Sequence, residues 1–277
     1  MKKIFIGLLI VLLVFLIFMV LPIKPLKSKF KRDVKSLLDA TEELEGVYTE
    51  EDFVAFPKAI QEFVKRNGYI GKKKAKYMSL CFKNVDFYQT KERKLKIDYT
   101  QYNFASKITR LAFIDTSFLG LPFYGYDFLD GREAFMKGVI AKCFPIFTER
   151  GKPLVKGNLV TYLAETIFNP SAMLNSGAVF TEVDAYTVLA SLNESDITIS
   201  GTFYFNDNYE MTKFVCNNRG MLENGKSRDL KWTAKCGEYA KNSKGINFPT
   251  NLQAIWNYPE GDLVYFDGKI DSVVFGN

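Results

Sequence analysis

The chain has 277 residues, 15% of them aromatic, no histidine, and a formal net charge of +6. Without an imidazole, His-dependent acid–base catalysis, Ser-His-Asp and Cys-His nucleophiles and the zinc sites that use histidine are excluded. The charge is also lopsided: residues 1–35 carry eight Lys/Arg against Asp33, a net +7, which leaves −1 on the remainder and no basic surface for nucleic acid.

Ile4 to Ile23 is an apolar run of 20 residues, about 30 Å of helix and enough to cross the hydrocarbon core of a membrane. The run ends in Val20-Leu21-Pro22-Ile23 without a small-residue cleavage pattern, and no cysteine follows for lipid attachment. A retained single-pass anchor is therefore expected. The Lys2-Lys3 start resembles an export signal kept as an anchor, which would put the domain outside the cytoplasm. The six Lys/Arg within 15 residues after the span argue for the cytoplasmic side. The extracytoplasmic placement is preferred here.

Residues 1–24 are read as the anchor, 25–70 as a basic juxtamembrane segment with two helices, and 71–277 as a β-rich domain. Val34, Leu37, Leu38 and Leu44 recur at helical spacing up to Gly46. In the second helix Thr49 and Asp52 form a capping box, Phe53, Phe56, Ile60, Phe63 and Val64 a stripe, and Gly68 a stop.

From Lys76 the period becomes two. Met78-Leu80-Phe82, Leu95-Ile97-Tyr99, Ile108 to Phe118 and the stretch around Tyr124 read as strands, with Lys91-Glu92-Arg93 as an exposed tip. Val179 to Val183, Tyr186 to Leu192, Ile197 to Phe205, Met211 to Cys216, Leu230 to Cys236, Gln253 to Tyr258 and Leu263 to Phe275 continue the pattern. About nine to eleven strands in sequential order, with no room for βαβ crossovers, predict one large antiparallel sheet. Such a sheet curls, and its concave face needs a cover.

Gly157 to Met173 supplies the candidate. On a helical projection Leu159, Val160, Leu163, Ala164, Ile167 and Phe168 fill one half-turn and Thr161, Tyr162, Glu165 and Thr166 the other. Asn158 is placed as the N-cap and Pro170 as the stop. The expected architecture is a β-rich α+β fold: a curved, half-barrel-like antiparallel sheet around a central amphipathic helix, preceded by a transmembrane helix and two short helices.

Tyr162-Leu163-Ala164-Glu165 with Pro170, Gly125-x-Asp127-x3-Gly131, and the series Trp232, Tyr239, Gly245, Pro249, Trp256 together resemble a family of bacterial membrane-anchored proteins classed as a domain of unknown function. Phe128 and Glu133 depart from the family pattern. The resemblance implies the anchored, β-rich architecture and no reaction.

Several residues are singled out as ligand-binding candidates: Asp127, Tyr162, Glu165, Arg219, Trp232, Tyr239 and Trp256. Glu165 is either a solvated glutamate or, if the sheet encloses the helix, a buried carboxylate that needs a partner, with Arg219 named first. Asp127 and Asp130 fit turn chemistry beside Gly131; alternatively Asp127 and Glu165 form a carboxylate pair across a cleft, suited to glycoside hydrolysis or to a hard cation. Trp232, Tyr239 and Trp256 suit a core or the lining of an apolar cleft. Cys81, Cys143, Cys216 and Cys236 form no CxxC pair and read as buried small hydrophobes, with disulfides open to an external domain. No cofactor motif and no metal site is indicated. The leading expectation is a non-catalytic domain that binds a lipid or other hydrophobic ligand at the cell envelope. The alternatives are a carboxylate-dependent hydrolase of an envelope component and a protein–protein interaction module.

Overall fold

The computed structural model describes residues 2–21, 23–88, 92–223 and 226–277. Pro22 and Lys91, placed by the sequence at the end of the span and in the charged tip, lie outside the described residues.

Helix α1 (Lys2–Val20) is exposed and apolar, and by length and composition it is sufficient to cross a membrane. α2 (Pro25–Ala40) begins at a proline, which suits the first turn of a helix. The predicted second helix is divided. Pro57 separates a 3-10 turn at Glu51–Phe53 from α3 (Lys58–Arg66), because proline restricts the residue before it and cannot donate to the preceding turn. Half of the capping box forms: the Thr49 amide donates to Asp52 at 2.8 Å, while the 3-10 turn has Glu50 at its N-cap and no side-chain cap bond.

The first block of strands is β1 (Tyr77–Tyr88), β2 (Lys94–Phe104), β3 (Thr109–Phe118), β4 (Leu121–Asp130), β5 (Ala134–Ile140) and β6 (Phe144–Arg150). Two helices follow, α4 (Lys152–Thr166) and α5 (Pro170–Asn175). The second block is β7 (Val179–Asp184), β8 (Thr187–Glu194), β9 (Ile197–Phe205), β10 (Met211–Glu223) and β11 (Lys226–Cys236). After it come the small hairpin β12 (Tyr239–Lys241) and β13 (Asn247–Pro249), then β14 (Asn251–Tyr258) and β15 (Gly261–Gly276).

Thirteen of these strands form one antiparallel sheet in the order β6-β5-β4-β3-β2-β1-β15-β14-β11-β10-β9-β8-β7. The two blocks are joined where β1 pairs β15, from Tyr77 opposite Gly276 to Phe87 opposite Phe266. Tight hairpins keep neighbours in sequence adjacent in space. Leu119 and Gly120, at φ 51° and 76°, make a two-residue turn of the kind whose twist matches the flanking strands. The strands missed by the sequence reading are β5 and β6 of the large sheet and β12 and β13 of the small hairpin. In β6 Phe144, Pro145 and Ile146 are all exposed, so no alternation marks it, and its proline fits an edge strand.

The curved sheet sorts side chains by parity. On β3, Leu111 and Phe113 face the convex side, where α2 lies; Phe30 sits 5.1 Å from the Phe113 ring and 5.4 Å from that of Tyr126. Polar ties fix α2 there, with Lys27 on Asp115 at 2.6 Å and the Tyr126 hydroxyl donating to Asp33 at 2.8 Å. Arg110, Ala112 and Ile114 point instead to the concave side, which encloses α4.

The expected single helix over Gly157 to Met173 is corrected in three respects. It starts earlier, at Lys152, where Gly151 (φ 112°) turns the chain out of β6 and Pro153 occupies the first turn. It breaks at Asn169, held extended before Pro170, which opens α5 rather than ending structure. Asn158 is therefore not a cap but a buried residue in the second turn. The helix is also not half-solvated, since Tyr162 and Thr166 are buried and Thr161 and Glu165 nearly so.

α4 reaches this depth through one close crossing. A Cβ on Gly220 of β10 would stand 2.5 Å from the Pro153 carbonyl oxygen, and one on Gly157 would stand 2.7 Å from the Gly220 oxygen. Both clashes are with backbone, which cannot swing away. Gly220→Ala is expected to cost about 1–3 kcal/mol as the helix is pushed off the sheet. The check is the urea midpoint of unfolding; an unchanged midpoint would show that the crossing can relax.

Candidate functional site

Where α4 and the concave face do not meet, a cavity of about 300 Å³ remains. Part of its wall is aromatic because the inward positions of β1, β2, β11, β14 and β15 carry rings at matching register. Phe82 meets Phe266 edge-on at 5.3 Å, and Phe266 meets Tyr99 at the same distance. Trp232 stands opposite Trp256 in the β11–β14 ladder. Trp256 stacks on Tyr265 at 5.6 Å, and the Trp232 indole donates to the Tyr265 hydroxyl at 3.1 Å. Ala234 and Ala254, the next inward pair along the same two strands, leave space beside the tryptophans.

One side of the cavity is polar and is built around Arg110. Its side chain is 5% exposed and ion-pairs with Asp127 at 3.0 Å and Glu165 at 3.5 Å. It also donates to the Tyr99 hydroxyl at 2.6 Å, to the Gln101 carbonyl at 3.2 Å and to that of Asn158 at 3.3 Å. Asn103 donates to Glu165 at 2.6 Å and Asn158 to Asp127 at 3.1 Å. Glu165 lies in the last turn of α4, where the helix dipole disfavours a carboxylate, so these donors offset both burial and dipole. Burial alone would pull the guanidinium down, but Tyr99, Glu165 and Asp127 reverse that and hold it above its ordinary value. Burial pushes the Tyr99 phenol well up.

A second arginine enters the cavity from β10. The Arg219 guanidinium lies 4.8 Å from the Trp232 ring and 4.7 Å from that of Trp256, and is attracted to both faces. It donates to the Gly157 carbonyl at 3.2 Å and to the Thr161 hydroxyl at 3.1 Å.

Five sequence candidates therefore line one cavity: Asp127, Glu165, Arg219, Trp232 and Trp256. Two do not. Tyr162 is buried behind α4 and donates to the Phe104 carbonyl at 2.9 Å. Tyr239, on the small hairpin, donates to the Met211 carbonyl at 2.9 Å. Asp127 is not a turn residue; it lies within β4, opposite Ala112, while Asp130 ends the strand before Gly131 (φ 75°). Glu165 is paired by Arg110 and not by Arg219, which the sequence had put first. The missed Arg110 had a signal: it is the one charged residue between Ile108 and Ile114, so a pleated strand must send it inward or outward among apolar neighbours.

The chemistry available is limited in kind. All four cysteines are unpaired. Cys236 lines the cavity, but burial pushes its thiol up to about 12, which keeps it protonated and unreactive at neutral pH. Among the described residues no group of three or more His, Cys, Asp or Glu is arranged to hold a metal ion.

Residues 46–268 match the model of a family of unknown function, DUF6544, and the chain belongs to that family. No curated protein matches it. Among solved structures it is similar to a domain from Vibrio parahaemolyticus described as an outer membrane lipoprotein-sorting protein. The TM-score is 0.45 and the identity 8%, over 79% of this chain and 91% of that one. It is also similar to a DUF1329 family protein from Desulfovibrio piger, with a TM-score of 0.41 and 9% identity, over 78% of this chain and 91% of that one.

Arg110→Met is expected to lower stability by about 3–5 kcal/mol, since it leaves two buried carboxylates without their cation. Adding Asp127→Asn and Glu165→Gln should recover much of the loss. Denaturant midpoints of the single and triple variants decide this, and equal midpoints would mean that the ion pairs do not set the penalty.

Proposed function

We propose that this family member is a membrane-anchored, non-catalytic domain that holds a lipid or other hydrophobic ligand between α4 and the concave sheet. The observation that carries the reading is the cavity itself, about 300 Å³ with predominantly apolar, aromatic walls and a few charged groups, which is the composition of a small-ligand site. The helix is its fixed wall and the sheet its shaped one.

The surroundings of α1 support placement at a membrane. Lys142, buried in the turn between β5 and β6, donates to the carbonyls of Phe18 at 3.0 Å, Met19, and Leu21 at 2.6 Å. A cation at the C-terminal end of a helix satisfies free carbonyls and the dipole together, so the domain is fastened to the end of α1. Beside this junction the Ala141 amide donates to the Pro122 carbonyl at 2.8 Å, which brings the β3–β4 and β5–β6 turns together. Leu119 and Phe144, at these two turns, are 86% and 52% exposed. Such side chains gain nothing in water and suit the interfacial region of a bilayer. The preferred side is extracytoplasmic.

Hydrolysis by Asp127 and Glu165 draws less support from the geometry. Both carboxylates are ion-paired with the same buried guanidinium and accept from asparagine amides, an arrangement that fixes side chains rather than freeing one to move a proton.

Both tryptophans of the chain line the cavity, so their emission reports its contents. With the full chain in nanodiscs whose lipids carry brominated acyl chains, tryptophan emission is expected to fall well below that in unbrominated nanodiscs. Equal emission in the two would overturn lipid uptake, because bromine quenches only on close contact.

A further inference from the structure

We infer that the cavity takes an amphiphile with an anionic head, a carboxylate or a phosphate monoester on an alkyl chain, and that Arg219 holds the head between Trp232 and Trp256. The inference rests on the hydrophobic-ligand reading above and names the class of that ligand.

Two arginines enter the same cavity in opposite electrostatic states. Arg110 is answered by two carboxylates and three further acceptors. Arg219 has no carboxylate within 4 Å among the described residues, and its two acceptors, the Gly157 carbonyl and the Thr161 hydroxyl, are neutral. These bonds use Nε and Nη2. Nη1 has no hydrogen-bond partner among the described residues, and it is not one of the buried polar atoms left without one, so it is accessible to a ligand.

The clamp explains how an arginine without a counter-ion is held. Each indole presents a negative face to the guanidinium, which stabilises the cation while leaving the Nη1 edge of its plane open. That edge is the part that matches a carboxylate or phosphate. A cation drawn into an apolar site without an anion remains unsatisfied, and a ligand that brings the anion gains that interaction in full.

The other polar cluster sets the direction of the ligand. Arg110, Asp127 and Glu165 together carry one net negative charge, and Glu165 is one helical turn beyond Thr161 on α4. An anionic head is repelled there and drawn to Arg219. Room for the chain begins at Ala234 and Ala254, directly next to the tryptophan pair on β11 and β14, and continues past Leu252 and Phe266. Head site and tail site are thus adjacent on the same two strands.

The test uses the full chain in amphipol and three eight-carbon probes, octanol, octanoate and octyl phosphate, read by tryptophan emission. Octanoate, octyl phosphate or both should bind at least about tenfold more tightly than octanol. The tighter of the two anions tells a fatty-acid carboxylate from a phosphate head. Arg219→Gln should bring all three probes to similar affinity, while Arg219→Lys keeps a preference for the anions, and Ala254→Phe should weaken all three alike. If octanol binds wild type as tightly as both anions, or if Arg219→Gln keeps the preference, the head assignment is overturned and hydrophobic binding stands. If none of the three binds, the assignment is overturned along with the reading beneath it. The wild-type comparison needs no variant to fold.

Discussion

A helix can lie inside a curled sheet only if every enclosed side of it is answered, because neither polar nor apolar groups on those sides reach water. α4 meets this condition in three ways. Leu159, Val160 and Leu163 are fully buried in the main apolar core. Gly157 and Gly220 let the backbones of α4 and β10 approach more closely than any side chain allows. Asn158 and Glu165, which would otherwise be costly, are taken up by Arg110, Asp127 and Asn103. A guanidinium is the group that makes the last of these possible, since one planar cation can serve carboxylates from a strand and a helix at once. The position of α4, and with it the shape of the cavity, follows from that neutralisation.

The cavity is what remains where this accommodation is incomplete. Small residues account for it. Ala234 and Ala254 stand opposite one another where the neighbouring pair is Trp232 and Trp256, so the inner surface of β11 and β14 steps from two indoles to two methyl groups within a single register interval. A core built for packing alone would interleave large and small residues to close that step. Here the step is left open next to a cation.

Much of the fold was legible in the sequence, for identifiable reasons. Period-two alternation in β1, β2, β9 and β11 gave their faces directly, and the short connections fixed antiparallel neighbours. The pairing of β1 with β15 was not legible, because nothing local encodes a ladder between residues nearly 200 positions apart. β6 was missed because its first three residues, Phe144, Pro145 and Ile146, are all exposed and show no alternation. The misreading of the polar half of α4 has one cause. A helical projection sorts residues by polarity, and a polar half looks solvated when it is in fact paired. Tyr162 and Glu165 were assigned by that rule and Asn158 as a cap, yet each has a partner at 2.6–3.1 Å across the fold. Among the site residues, Asp127, Glu165, Arg219 and the two tryptophans could be named from motif and residue type. Arg110 could have been named too, had its isolation among apolar strand residues been given the weight that a buried charge carries.

The two arginines also separate what holds the fold from what remains free to bind. Arg110 spends its donors on residues of β2, β4 and α4, so its contribution is to structure, and any ligand that displaced one of those acceptors would have to replace it in kind. Arg219 is fixed by aromatic faces and neutral oxygens, contacts that position a guanidinium without discharging it. Because its anchors include the Gly157 carbonyl, the crossing that seats α4 on β10 also aims Arg219 at the space beside the alanines. Packing and site therefore share one constraint: a bulkier residue at 157 or 220 would move the helix and, through the same carbonyl, the cation.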